Sequence, residues 1–168
     1  SPLNLELLSK NIFINKLVDK ITIFSMPLSN AIKESKMKMS STDLGGALST
    51  FGEDYGHDGK NINSILEYNT FGFSGDEIIK FLNLPQPDHI KIDVDGIEHL
   101  ILLGCNNLLK KTKSILIEVN DEFQEMSDQV REILNQNQFI LKEKQRSEFV
   151  HDQSLFSETY NQIWLKRN

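Results

Sequence analysis

The sequence predicts an α/β domain, with a mostly parallel sheet, helices on both faces and an antiparallel pair of strands at its C-terminal edge. Three observations predict it. Between residues 74 and 134, short apolar runs alternate with segments of helical periodicity, the pattern of strands joined by crossover helices. Two more apolar runs, at 139–141 and 163–165, follow without a helical pattern between them; strands joined that way pair antiparallel, because parallel neighbours need a crossover. The chain has 168 residues and 39% hydrophobic content, enough for one globular domain.

The elements follow in order. Ser1 caps a helix and Pro2 fits its first position, where a missing N–H costs nothing. Leu5, Leu8 and Ile12 recur at helical spacing. Residues 21–26 (Ile-Thr-Ile-Phe-Ser-Met) read as a strand ended by Pro27. Residues 29–73 are rich in Ser, Thr and Gly around 39–52 and again at 55–59. They read as a long loop with room for short strands, and long loops in small domains are often functional. Ser74-Gly-Asp-Glu77 is a capping-box pattern starting a helix through Leu82, before Pro85 and Pro87. Residues 89–94 form an alternating strand, 97–109 one amphipathic helix, and 114–119 an apolar strand buried on both faces. Phe123, Met126, Val130, Ile133 and Leu134 mark the next helix. The predicted order is αβ, loop, αβαβαββ.

Bulk properties narrow the function. A formal net charge of −6 and a pI near 5.2 exclude a non-specific nucleic-acid binder and disfavour anionic lipid surfaces. No apolar run approaches a membrane span, and the chain opens without a signal-peptide pattern. It begins Ser-Pro-Leu-Asn, with no initiator Met. Cys105 is the single cysteine, so no intrachain disulfide forms, and no Cys/His cluster suggests zinc. The cytoplasm is the expected compartment.

In open α/β sheets, ligands collect beyond the carboxyl ends of the strands. Two acidic clusters fall there: Asp93-Val-Asp-Gly-Ile-Glu98, and Glu118-Val-Asn-Asp121. If the two strands are neighbours, Asp93, Asp95 and Glu118 share one rim. Carboxylates packed together raise one another's pKa or recruit a cation, which suits general-base work or a hard metal ion. The same residues also have a structural reading. Strand-end acids cap the next helix, Gly96 makes the turn, and Glu98 favours the helix dipole. Spacing alone leaves both open. A haloacid-dehalogenase-type phosphatase is excluded, because no later Gly-Asp motif follows residue 98. An EF-hand fails because Gly96 comes too early. His57, His89, His99 and His151 are scattered and read as surface or packing residues, Trp164 as core, and Lys10, Lys16 and Lys20 as a solvated helix face. Tyr55, His57 and Asp58 are loop residues in a position to touch a substrate.

Residues 90–98, Ile-Lys-Ile-Asp-Val-Asp-Gly-Ile-Glu, then Leu103-Gly-Cys105, resemble the signature of the FkbM methyltransferase family. Residues 115–119 resemble its next strand. Ser1-Pro-Leu-Asn4 with Leu8, Asn11 and Asn15, the Gly45-Gly46 loop, and Asn161-Gln-Ile-Trp164 also fit. The resemblance implies a class I methyltransferase (Rossmann-like) fold with a reversed last strand. It implies transfer of a methyl group from S-adenosylmethionine to a hydroxyl of a sugar or other small molecule. It points to Asp95, Asp93 and Glu98 as catalytic residues. Glu118 and Asn120, at the next strand end, become acceptor-side residues, with Tyr55 and His57 from the loop. Catechol-type methyltransferases bind magnesium at comparable strand ends; no metal ligand is assigned here.

The chain departs from the family pattern in one respect. The family's Gly-rich turn and acidic ribose-binding strand end are not found before Ser1, and Gly45-Gly46 lies too late to replace them. Cofactor-binding residues are therefore unassigned. The expectation is a single FkbM-like domain over 1–168, an incomplete, N-terminally truncated form of the fold. Two alternatives stand beside the enzyme: a non-catalytic remnant that self-associates as a homodimer, and an acidic metal-binding interaction module.

Overall fold

A computed structural model describes residues 1–146 and 156–167; His151 lies outside them. Helix α1 (Pro2–Ile14) starts as its sequence dictates, with Ser1 Oγ accepting the Asn4 N–H at 3.5 Å and Pro2 in the first turn. Ile12 is its one buried residue. The helix ends before Lys16, whose φ is 57°, so only Lys10 of the three lysines lies on it. Asn4 ties α1 to the following loop: its amide donates to Gly46 O at 2.9 Å and accepts the Gly45 N–H at 2.8 Å.

The segment 21–26 is not a strand. Ile21, Phe24 and Met26 stay exposed, and Pro27 has no N–H to give a ladder. Pairing is limited to Leu28, which bridges Phe73 in parallel.

The expected long loop holds a three-stranded antiparallel sheet instead, β1 (Lys33–Met39), β2 (Ser49–Phe51) and β3 (Leu66–Gly72), in the order β2-β1-β3. Its basis is period-two alternation. In β1, Ser35, Met37 and Met39 turn inward, and Glu34 and Lys36 stay exposed. In β3, Leu66, Tyr68 and Thr70 alternate with exposed neighbours.

Helix α2 (Gly75–Phe81) carries the full capping box. Ser74 Oγ accepts the Glu77 N–H at 3.2 Å, and Glu77 Oε2 accepts from the Ser74 N–H and hydroxyl at 3.2 and 2.6 Å. Ser74→Ala removes both hydroxyl bonds and is expected to cost about 1 kcal/mol. The urea midpoint falls with the m-value unchanged.

The helix expected over 97–109 is broken into α3 (Glu98–Leu103) and α4 (Asn106–Lys111). A packing contact forces the break. The Ser29 carbonyl sits where a Cβ on Gly104 would be, 2.2 Å away, and the Gly104 carbonyl accepts the Asp76 N–H at 3.0 Å. The Asp76 carboxylate then caps α4, accepting the N–H groups of Asn107 and Leu108 at 2.8 and 2.9 Å.

A second sheet contains β4 (His89–Ile92), β5 (Ser114–Asn120), β6 (Phe139–Gln145) and β7 (Thr159–Lys166), in the order β4-β5-β7-β6. The chain is thus mixed α/β, and the expected parallel majority is corrected. Only β4 and β5 pair in parallel; β7 runs antiparallel to both β5 and β6. The crossover through α5 (Gln124–Gln136) does send β6 parallel to β5, but β7 enters between them. The two closing strands pair antiparallel as expected, with β6 alone at the edge.

Helices on both faces is also corrected. Residues Ile115, Ile117 and Val119 of β5 bury one face against α3 and α5, in a core with Leu102, Leu109, Met126, Val130, Leu134, Phe139 and Trp164. The opposite face carries Lys91, Asp93 and Glu118, and its Ile140 and Leu165 are 47% and 40% exposed. No described helix covers it.

Candidate functional site

The β4–β5 register sets the site. Ile92 lies beside Ile117, so the chain leaves β4 with Asp93 next to Glu118 and Asp95 two positions further on, level with Asn120. The two acidic clusters therefore meet at the carboxyl ends of neighbouring parallel strands, where ligands of open sheets collect.

The turn between β4 and α3 is built around Gly96. Its φ is +105°, and a Cβ there would lie 2.4 Å from the Gly56 carbonyl oxygen. Lack of a side chain lets the 55–59 loop close on the strand end. Asn120 holds the loop from the β5 side: its amide donates to His57 O at 3.1 Å, and its oxygen accepts the Glu122 N–H at 3.0 Å.

Each predicted site residue has a distinct place. Asp93 is the most open, 46% exposed and ion-paired with Lys91. Asp95 is half-buried and accepts the Ser49 N–H at 2.8 Å, linking the two sheets. Burial raises its pKa above the usual carboxylate range, against the pull of that hydrogen bond. Glu118 is half-buried and raised too, by burial first and then by Asp93 and Asp95.

Glu98 is 2% exposed. One oxygen accepts the Gly96 N–H at 3.3 Å and the other finds no partner among the described residues. Burial pushes its pKa up to about 8, so it is mostly protonated at neutral pH. His57 packs against Phe156, with ring centroids 5.1 Å apart. Tyr55 stacks edge-on against Phe123 at 5.2 Å, and burial raises its phenol to about 12. His99 is buried beside Phe123, its pKa lowered by that burial.

Two hollows meet here. A small internal cavity of about 10 Å³ is lined by His57, Asp95, Glu98, Glu118, Asn120 and Thr159, among others. A cleft of about 770 Å³ runs along β4, with Asp93 and Asp95 at one end and Phe24, Met26, Ile79 and Ile90 among its apolar walls. Asp95 borders both; Tyr55 borders neither. The structure thus gathers the predicted site residues around these two hollows, except the loop residues Tyr55 and Asp58.

Sequence reasoning missed Ser49 and Thr159. Ser49 contributes through its backbone and Thr159 arrives from β7, so neither carries a local signal. Among the described residues, no three of His, Cys, Asp and Glu are arranged to hold a metal ion, and no helix is long and apolar enough to cross a membrane.

A family model for the methyltransferase FkbM domain matches residues 1–141. No curated protein and no solved structure matches the chain.

Proposed function

The chain belongs to the FkbM methyltransferase family, and from that premise we propose an S-adenosylmethionine-dependent methyltransferase acting on a hydroxyl of a sugar or similar small molecule. The observation that carries the reading is Asp95, a half-buried carboxylate that borders both the cleft and the acidic cavity.

The cleft suits the cofactor in size and chemistry. Its roughly 770 Å³ falls within the range of small-molecule sites. Apolar walls at Phe24, Met26, Ile79 and Ile90 fit an adenine ring. Asp93 and Asp95 at the end of β4 complement a sulfonium or ammonium charge. When bound, S-adenosylmethionine supplies an electrophilic methyl group. The chain's own task is the acceptor proton, which a hydroxyl must lose as it attacks. Asp95 is the residue for it, because burial makes it a stronger base than a solvated carboxylate. Glu118 adds negative charge beside it, and Glu98, protonated at neutral pH, adds none. One reversed strand, β7, supports the class I reading of the fold. The lone buried thiol, Cys105, accords with the cytoplasm.

Calorimetric titration with S-adenosylhomocysteine is the direct test, with saturable binding expected. Asp95→Asn keeps an oxygen for the Ser49 N–H and loses the base. Transfer to a hydroxyl acceptor should fall about 10²–10⁴-fold. An absence of binding heat, or full activity in the variant, refutes the assignment.

A further inference from the structure

The small internal cavity of about 10 Å³ beyond the ends of β4 and β5 has two unusual residues in its wall. Each carries a buried polar atom with no partner among the described residues. Glu98, 2% exposed, leaves Oε2 unbonded, and Thr159, 6% exposed, leaves its hydroxyl unbonded. They come from different elements. Glu98 opens α3, and Thr159 opens β7, where the strand register sets it opposite Asn120. Buried carboxyls and hydroxyls are nearly always hydrogen-bonded, because an unmade bond costs the group its hydration with nothing in return. Asp95 and Glu118 border the same space.

We infer that this cavity binds one water molecule, which accepts hydrogen bonds from Glu98 and Thr159 and donates to Asp95 and Glu118, and that Thr159 is thereby a positioning residue for Asp95. The room matches, since one water needs about 10–15 Å³ and two to four polar partners. The bonding also balances. Glu98, protonated at neutral pH, donates through Oε2, the Thr159 hydroxyl donates beside it, and the two carboxylates accept the protons of the water. Asn120 is engaged elsewhere, by His57 O and the Glu122 N–H. A cation suits the wall less well. Glu98 is neutral there, and no three of His, Cys, Asp and Glu among the described residues are arranged to hold one. An anion is repelled by Asp95 and Glu118.

The water gives Asp95 a second donor beside the Ser49 N–H. It favours the charged form of the carboxylate and fixes the direction in which it faces. The importance of that direction to methyl transfer rests on the reading of Asp95 as the base. Other charges also act on Asp95. His57 in the loop favours its ionisation, Asp93 at the same strand end opposes it, and Glu118 on β5 and Asp95 raise one another. None of these is altered by a change at Thr159, so the contribution of the hydroxyl can be isolated.

Urea unfolding of Thr159→Val is the first test, and its sign decides. Valine keeps the shape of threonine and loses the hydroxyl. In a dry cavity the change removes an unbonded buried hydroxyl, and the midpoint rises. With the water in place it breaks a made bond, and the midpoint falls. The second test follows the Asp95 carboxyl by carbon NMR through a pH titration, a readout that needs no methyl transfer. In Thr159→Val the titration should move up by about 0.5–1 pH unit, and in Thr159→Ser, which keeps the hydroxyl, it should stay with wild type. A high-resolution crystal structure should show one water within hydrogen-bonding distance of Glu98 Oε2 and Thr159 Oγ1. A midpoint that rises in Thr159→Val overturns the proposal. So does an Asp95 titration indifferent to the lost hydroxyl, or a cavity that is dry or holds a metal ion. Full activity in Asp95→Asn would remove Asp95 as the base and leave all three readouts unchanged, so the two failures are told apart.

Discussion

Replacing Glu98 by Gln is expected to flatten the fall in stability that the wild-type chain shows between about pH 4.5 and 8. Burial holds the Glu98 pKa at about 8 in the folded chain, against an ordinary value of 4.5. A group with a raised folded pKa contributes stability that is complete below its unfolded pKa. The contribution is lost as pH climbs through the folded value. Between those limits the unfolded chain releases the proton and the folded chain keeps it, at about 1.4 kcal/mol per pH unit. The total is on the order of 3–5 kcal/mol, a large share of a domain's stability. Asp95 and Glu118, on the same cavity, are raised in the same direction and steepen the fall. His99, lowered by burial, acts in the opposite sense: its contribution is lost as pH drops below 6.5. Gln keeps an oxygen for the Gly96 N–H and cannot ionise. Urea unfolding of wild type and Glu98→Gln, at half-unit steps from pH 4.5 to 8.5, reads the difference directly. The variant should gain on wild type steadily with pH and level off above 8. Parallel curves would show that Glu98 ionises normally in the folded state.

What could be read from the sequence, and what could not, divides along the range of the interactions. The Ser74 capping box and the Ser1-Pro2 start are local, and both formed as read. The acidic site was legible because each cluster directly follows its own apolar strand, and the crossover between those strands made them parallel neighbours. The failures depended on distant partners. Residues 21–26 have strand-like composition, but a strand exists only where a neighbouring strand pairs with it, and among the described residues no strand does. The β1 strand was hidden by its composition: four of its seven residues, Lys33, Glu34, Lys36 and Lys38, are charged, and its alternation is carried by Ser and Met rather than by strong apolar residues. The break between α3 and α4 has a visible glycine, yet its cause is the Ser29 backbone 75 positions earlier. The place of β7 between β5 and β6 likewise has no mark in the order of the elements.

Gly96→Ala is expected to destabilise the chain by about 2–4 kcal/mol, while Gly56→Ala, directly across the contact, stays within about 0.5 kcal/mol of wild type. The two glycines touch, yet their surroundings differ. At Gly56 an added Cβ meets nothing within 4 Å, and its φ is not in the left-handed region. At Gly96 the φ of +105° strains any L side chain, and the new methyl would sit 2.4 Å from Gly56 O and 3.1 Å from His57 Cα. Both obstacles are backbone, so no rotamer change relieves the clash. The loop has to lift. Lifting it stretches the Asn120 bond to His57 O and draws His57 off the cavity it lines. The turn bonds Gly56 N–H to Lys60 O, Gly59 N–H to Gly56 O and Ile62 N–H to Asp54 O then lose their support. Hydrogen exchange over residues 54–62 should accelerate in Gly96→Ala and not in Gly56→Ala. Equal stability of the two variants, or unchanged exchange in that segment, would mean that the strand-end turn does not hold the loop, and that the cavity's wall is fixed from elsewhere.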